Sequence, residues 1–512
     1  MDGNNGPVAN PTWYGNIRGM FTDTDIAHMS SQGLDLTSYD NVKNNAGGIY
    51  GQVSAGLMPP GEPWSQDQVN TFLNWMINIY PKGTPPPQPV AKMLTTAGGT
   101  VASRVRKEIS TLSAPELQTL IKAFEGILAK DIADPNSYFI QAGYHWLPAG
   151  NLFCQHHVPA YNPWHRAYLL SFENALRSIP GCEDVTLPYW DITQPFPEVL
   201  KNAPFDSYTF PKDVGPDPWV KGYVTQRDSY DDIAQSLSQM DVAADITYAM
   251  SQTDWDDFHG LFGSGTFGDA PNYAIIQAHD SGHVAIGPTM SRQEVASFDP
   301  VFWFFHCNWD RLFWNWQVKM EATTLNGLLT TINREVDPAS YNIFTIPVLE
   351  ASTMNIFNKP PFSFTTLSII DSINSLGVGY QNPAPQEPAM MPKMKRASLA
   401  SDKFTVNTDM VNVRVKGLNR LKIPGSFKVH LLRDGEVIAS RGFFQPNNVE
   451  TCENCVNNAV VHFDFRLPLE SVRNGKLEVT VEPLDKSFVG DRFPNKLMGN
   501  PTVDVRFLVS NE

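Results

Sequence analysis

Apolar side chains along this chain follow two spacings. From Val69 through Phe72, Leu73 and Met76 they recur every three to four residues, behind Ser65-Gln66-Asp67-Gln68, in which the serine and Gln68 can cap each other's amides. The same signal returns at Ser113-Ala114-Pro115-Glu116, followed by Leu117, Leu120, Ile121, Phe124, Ile127 and Leu128 on one helical face. Beyond about Phe404 the spacing drops to two. Phe427, Val429 and Leu431 precede Asp434-Gly435 and then Val437 and Ala439, a hairpin signal. Val461, Phe463, Phe465 and Leu467 alternate with His462, Asp464 and Arg466, and Asn474-Gly475 introduces Leu477, Val479 and Val481. Proline-rich runs at 81–89 and 381–395 punctuate these regimes, because proline fixes φ and removes a donor. The pattern predicts a small N-terminal helical module over 1–92, a mainly α-helical core over 93–380, a Pro-rich linker over 381–403 and a C-terminal antiparallel β-sandwich over 404–512.

Charge narrows the class of ligand. The 512 residues carry 38 Lys and Arg against 53 Asp and Glu, a net charge of −15, which argues against nucleic acid and favours a small uncharged or cationic ligand. No apolar run approaches the roughly 18–20 residues of a membrane span, and the opening MDGNNGPVANPTW has neither a basic nor an apolar export region. Five cysteines are too few for a disulfide framework, so a cytoplasmic location with no membrane partner is the expectation. The segment from Ser38 to Trp64 suggests no chemistry, and packing or assembly into a homo-oligomer is its default role.

The eleven histidines carry the chemistry. His279 and His283, in AIIQAHDSGHVAIG, stand four apart, which on a helix points both imidazoles at one ion. A zinc peptidase would need Glu in the second position, where this chain has Asp280. His306 lies in an aromatic run with Asp310 four residues on, placed to hold the other ring nitrogen. Upstream, His145, His156 and His165 form a second triplet, with Pro163 placing His165 in a first helical turn. Two three-imidazole sets suit a binuclear centre, and a donor set without carboxylates favours copper, zinc or iron. Copper suits the Trp- and Phe-lined surroundings best.

At this point the residues resemble the type 3 copper family of tyrosinases, catechol oxidases and hemocyanins. HHVPAYNPWHRAYLLSFE is similar to the family's first copper motif, and HDSGH with DPVFWFFHCNWDRLFWNW to its second, within a resemblance spanning Arg106 to Tyr380. It implies a helical-bundle fold for the core and two copper ions. His145, His156 and His165 would ligate the first and His279, His283 and His306 the second, with His157 only a neighbour. The chain departs from the family in having Phe305 before His306 where two histidines are usual. Cys154 matches a cysteine that forms a thioether to the following ligand, here His156, and Asp310 matches an acidic residue behind the ligands. Asp280 stands where tyrosinases often carry Asn, and is expected to accept a phenol proton or hold a water that does. Leu376-Gly377-Val378-Gly379-Tyr380 resembles the motif ending the family's core, with Arg106 as partner of Tyr380.

The resemblance further implies a C-terminal domain covering the copper site, with Phe443 or Phe444 as the plug. Cys452-Glu453-Asn454-Cys455 reads equally as a disulfide, a thiol pair or a copper-delivery site, while Cys182 and Cys307 look structural. The implied activity is O2-dependent ortho-hydroxylation of monophenols and oxidation of o-diphenols to o-quinones. An oxygen carrier of hemocyanin type, an o-aminophenol oxidase and a zinc hydrolase are the alternatives.

Overall fold

The computed structural model describes residues 6–30, 34–56, 58–59, 63–78, 80–83, 103–148, 156–158, 160–260, 274–332, 369–381, 404–485 and 493–511. The chain divides into two compact units, Met1–Leu94 and Thr95–Glu512. The first contains helices α1 (Asp23–Ser30), α2 (Tyr39–Asn44), α3 (Ala46–Ser54) and α4 (Gln66–Ile77). At the start of α4 the Gln68 amide donates to Ser65 Oγ at 3.3 Å and the Ser65 amide to Gln68 Oε1 at 2.9 Å, satisfying two donors that a helix start leaves open. Its buried face brings Phe72 and Trp75 onto Trp13 and Phe21.

The second unit opens with β1 (Arg104–Arg106) and a series of helices: α5 (Ala114–Leu128), α6 (Tyr138–Gly143), α7 (Tyr161–Arg177), α8 (Tyr230–Gln239), α9 (Val242–Ser251), α10 (Trp255–His259), α11 (Ile275–Ile286), α12 (Val301–Lys319) and α13 (Leu325–Thr330). Strand β2 (Val378–Tyr380) pairs in parallel with β1 and closes the helical region on itself. Helix α7 packs against both α5 and α12, and the Phe172 and Trp303 rings lie flat on each other at 3.6 Å. Helix α11 has all twelve residues buried, so it must be covered on every side.

Part of that cover comes from the C-terminal strands. β3 (Phe404–Asn419), β6 (Val460–Pro468) and β8 (Thr502–Asn511) form one antiparallel sheet; β4 (Phe427–Arg433), β5 (Glu436–Phe443) and β7 (Leu477–Pro483) form another. Asp434 and Gly435, both at positive φ (52° and 92°), turn β4 into β5. Val413, Phe463 and Phe465 of the first sheet share a buried cluster with Phe427, Val429 and Phe443 of the second. The edge of β5 rests on α11. The Gly442 amide donates to Ser281 Oγ at 3.1 Å, and Gln277 Nε2 donates to the Gly442 carbonyl at 3.0 Å. Only glycine permits this approach, since a Cβ there would stand 2.8 Å from Ser281 Cα and 2.9 Å from Val284 Cβ.

One residue earlier, Arg441 donates to the Met240 carbonyl at 2.6 Å and to Asp245 Oδ1 on α9 at 3.2 Å. Burial nevertheless pushes the Asp245 carboxyl up to about 7, Arg441 opposing it only in part. An acid whose folded-state pKa is raised stabilises the fold fully below its unfolded value, and that contribution is lost as pH rises through the folded one. Thermal stability is therefore expected to fall between about pH 4 and pH 7 through this group. Asp245→Asn should flatten that part of a melting-temperature profile; an unchanged slope would contradict the assignment.

Candidate metal centre

Four stretches of backbone deliver six imidazoles to one buried region. His145 follows α6, His156 precedes α7, His165 lies on α7, His279 and His283 on α11, and His306 on α12. Ring nitrogens of His145, His156 and His165 all lie within 4.8 Å of one another, and so do those of His279, His283 and His306. The groups adjoin: the His165 and His306 rings stack at 4.4 Å and 7°, and those of His156 and His279 at 5.5 Å. Helix α7 begins at Tyr161, two residues before Pro163, which puts His165 just beyond the first turn rather than in it.

Backbone carbonyls set the tautomers. Nδ1–H of His145 donates to the Gln293 carbonyl at 3.0 Å, that of His165 to Tyr161 at 2.8 Å and that of His283 to Met290 at 2.8 Å. Nδ1 of His279 is tied instead to Asp280 Oδ1 at 2.9 Å. Each such bond leaves an Nε2 lone pair facing inward. Burial holds all six rings below the ordinary histidine range, His145 at about 3, and neighbouring imidazoles push the same way. His165 Nε2 and His279 Nε2 have no hydrogen-bond partner among the described residues, and His283 Nε2 faces His306 Nε2 at 3.1 Å. Buried polar atoms are rarely left so, and neutral inward lone pairs are what two soft cations require. The residues present fit a pair of copper ions.

Of the neighbours that the sequence singles out, Asp310 departs from its expected contact. Asp310 does not hold His306, although it lies one turn along α12. Arg166 Nε donates to Asp310 Oδ1 at 2.6 Å, and Arg106 and the Tyr380 hydroxyl take Oδ2, while His306 Nδ1 has no partner among the described residues. Asp310 thus anchors the β1–β2 closure, where Arg106 also donates to the Tyr380 hydroxyl at 2.9 Å. Phe443 and Phe444 go to opposite sides of β5. Phe443 lies in the sheet core and stacks on His157 at 4.7 Å, whereas the Phe444 ring lies on His283 at 3.9 Å and 9° and presents its edge to His156 and His279. Asp280 accepts from three donors: His279 Nδ1, His157 Nε2 at 2.8 Å and the Phe444 amide at 3.1 Å. These bonds tie it to the ring of His279 on one oxygen and to His157 and the Phe444 amide on the other.

His157, read from the sequence only as a neighbour, is held at φ 55°, rare for a side-chain-bearing residue. Its Nδ1 faces Arg420 at 3.5 Å, and Arg420 also lies over the Phe443 ring and donates to Gln445 Oε1 at 3.0 Å and Cys455 Sγ at 3.2 Å. Burial lowers this guanidinium to about 9 against the pull of Asp280. Burial alone would raise the Asp280 carboxyl, but His157 and His279 bring it below its ordinary value. Cys452 and Cys455 are joined as a disulfide, and Cys154 lies outside the described residues. Among the described residues no helix is long and apolar enough to cross a membrane.

Residues 135–319 match the model of the common central domain of tyrosinase. A tyrosinase of Hahella, HcTyr2, is 24% identical over 505 residues, covering 72% of this chain and 88% of its own. That of Aspergillus oryzae is 24% identical over 475 residues, covering 68% and 86%. An octopus hemocyanin (Enteroctopus dofleini) is 28% identical over 306 residues, and the chain spans only 10% of that much longer polypeptide. Among solved structures, the tyrosinase of Burkholderia thailandensis superimposes with a TM-score of 0.57 at 20% identity, covering 78% of this chain and all of that one. An octopus hemocyanin functional unit reaches 0.51 at 20%, covering 79% and 99%.

Because Asp280 fixes the ring of His279, Asp280→Asn should weaken metal binding at the second triad by roughly 10–100-fold while sparing the first. Titration of the metal-free protein with copper checks this, and equal affinities before and after substitution would contradict it.

Proposed function

We propose, from the premise that the chain is a member of the type 3 copper family of tyrosinases and hemocyanins, that it is a phenol oxidase held latent by its C-terminal sheets. The observation that carries this reading is the Phe444 ring, flat on His283 where an aromatic substrate would have to lie. Bound between the triads, a copper pair supplies the electron chemistry with O2 that no side chain here can provide. The chain supplies the rest. Six neutral imidazoles would hold the pair, and His283 offers a flat face that aligns a phenol ring. Phe302 and Phe305 pack on His306 and His283 and keep water out. With the sheets displaced, monophenols would be hydroxylated ortho to the hydroxyl and o-diphenols oxidised to o-quinones.

Alignment over most of the length of two tyrosinases supports an enzyme of this size and layout. The same covered centre also suits an oxygen carrier, in which the sheets would stay closed. We read the two sheets as a β-sandwich lid that meets α11 through the main chain of Gly442 and packs Ile276 of that helix into the sheet core. Asn447 adds its amide to Glu294, and Arg292 donates to the Leu484 carbonyl at 2.6 Å and to Asp485 at 3.0 Å.

Oxygen uptake on tyrosine and on dopa, before and after cleavage within 382–403, tests the reading, with copper quantified in parallel. An O2-dependent near-ultraviolet band without phenol turnover after cleavage would favour the carrier. Gly442→Val should lift β5 from α11 and raise o-diphenol oxidation several-fold in the uncleaved chain, with circular dichroism unchanged. Persistent latency in that variant would mean that this contact does not control access.

A further inference from the structure

The Cys452–Cys455 disulfide belongs to neither triad, yet it packs with Val449 in the same apolar cluster as the helical core. The group that decides what this pair can do is Arg420. Its Nη2 donates to Cys455 Sγ at 3.2 Å, its Nε to the neutral Gln445 Oε1 at 3.0 Å, and its Nη1 faces His157 Nδ1 at 3.5 Å. Among the described residues no carboxylate forms an ion pair with it, and Asp280, the anion that offsets it, stands on the far side of the His157 ring. The cation is buried and incompletely compensated.

A neutral disulfide does little to relieve such a charge, whereas an anion at the same position would pair with it. Reduction supplies that anion. Cleaving the S–S bond puts a sulfur 3.2 Å from the guanidinium, where a thiolate is favoured over a thiol. Cys452 is 7% exposed and Cys455 3%, so an incoming thiolate attacks Cys452, and Cys455 leaves as an anion directly against Arg420. With a dithiol as reductant the two electrons come from its sulfurs, which close into a disulfide. One of its protons ends on Cys452 and the other in solvent, leaving Cys455 as a thiolate paired with Arg420.

We propose that Cys452–Cys455 is a thiol–disulfide exchange site whose reduced form is stabilised by Arg420, and that its redox state is passed through Arg420 to the segment 442–447. Gln445 Nε2 also donates to the carbonyls of Ile423 at 2.8 Å and Gly425 at 2.9 Å, so Arg420 and Gln445 together tie the end of β3 to the segment after β5. A thiolate at Cys455 competes with Gln445 and His157 for one guanidinium. Nothing in this exchange depends on phenol oxidation.

The full chain, copper-loaded and metal-free, is equilibrated with buffers of reduced and oxidised glutathione and quenched by alkylation, and the state of each cysteine is read by peptide mass spectrometry. Half reduction of the pair is expected within the glutathione range that leaves ordinary structural disulfides oxidised. Arg420→Gln should lower the equilibrium constant for reduction at least roughly tenfold, about 30 mV for a two-electron couple, and Arg420→Lys should recover most of the loss. Amide hydrogen exchange over 442–447 should quicken several-fold on reduction, and should ignore glutathione in a chain carrying both Cys452→Ala and Cys455→Ala. A pair that stays oxidised throughout, a constant unmoved by Arg420→Gln, or exchange over 442–447 that is equal in the two redox states would overturn the proposal. The titration and the exchange measurement on the unaltered chain remain decisive should Arg420→Gln fail to fold.

Discussion

Six imidazoles can share one dry chamber only while every one of them is uncharged. Desolvation and mutual repulsion both act against protonation, so the six rings stay neutral and keep their lone pairs. Much else in the second unit follows from keeping those rings oriented in that state. The carbonyls of Tyr161, Met290 and Gln293 act as anchors, and none of them is identifiable by side-chain type. The orientation of the rings is a property of the backbone paths, and these are fixed by ring stacking between α7 and α12 and by the Asp310 cluster that ties Arg166, Arg106 and Tyr380 together.

Helix α11 couples this centre to the sheets. One side carries His279 and His283; the other, with Gln277 and Ser281, meets the main chain of Gly442. Asp280 belongs to both sides, since it fixes a ligand ring with one oxygen and receives the sheets with the other. The orientation of His279 and the seating of the segment after β5 are therefore set at the same carboxylate.

Local signals in the sequence carried far. The boxes at Ser65 and Ser113, the hairpin at Asp434-Gly435 and the four-residue step from His279 to His283 each depend on neighbours in the chain, and each has its structural counterpart. What was not legible depends on distant partners. Asp310 was assigned to His306 because one helical turn separates them, yet arginines from 144 and 204 residues away capture it. Nothing local marks Gln293, Arg420 or Gly442 as special, because their roles lie in what faces them across 137 to 263 residues. The choice between Phe443 and Phe444 was available in principle: adjacent strand residues point to opposite faces, so only one could reach the centre while the other stayed in the sheet.

The complete burial of α11 has a consequence in time. Its last residue is number 286 and β5 begins at 436, so about 150 residues separate the helix from the strand that covers it. At about 5–20 residues per second, a ribosome takes roughly 8–30 s to bridge that gap. For that interval the strand that will meet α11 at Gly442 does not yet exist. The order of the chain thus places all six histidines of the two triads ahead of the strands that come to lie on α11.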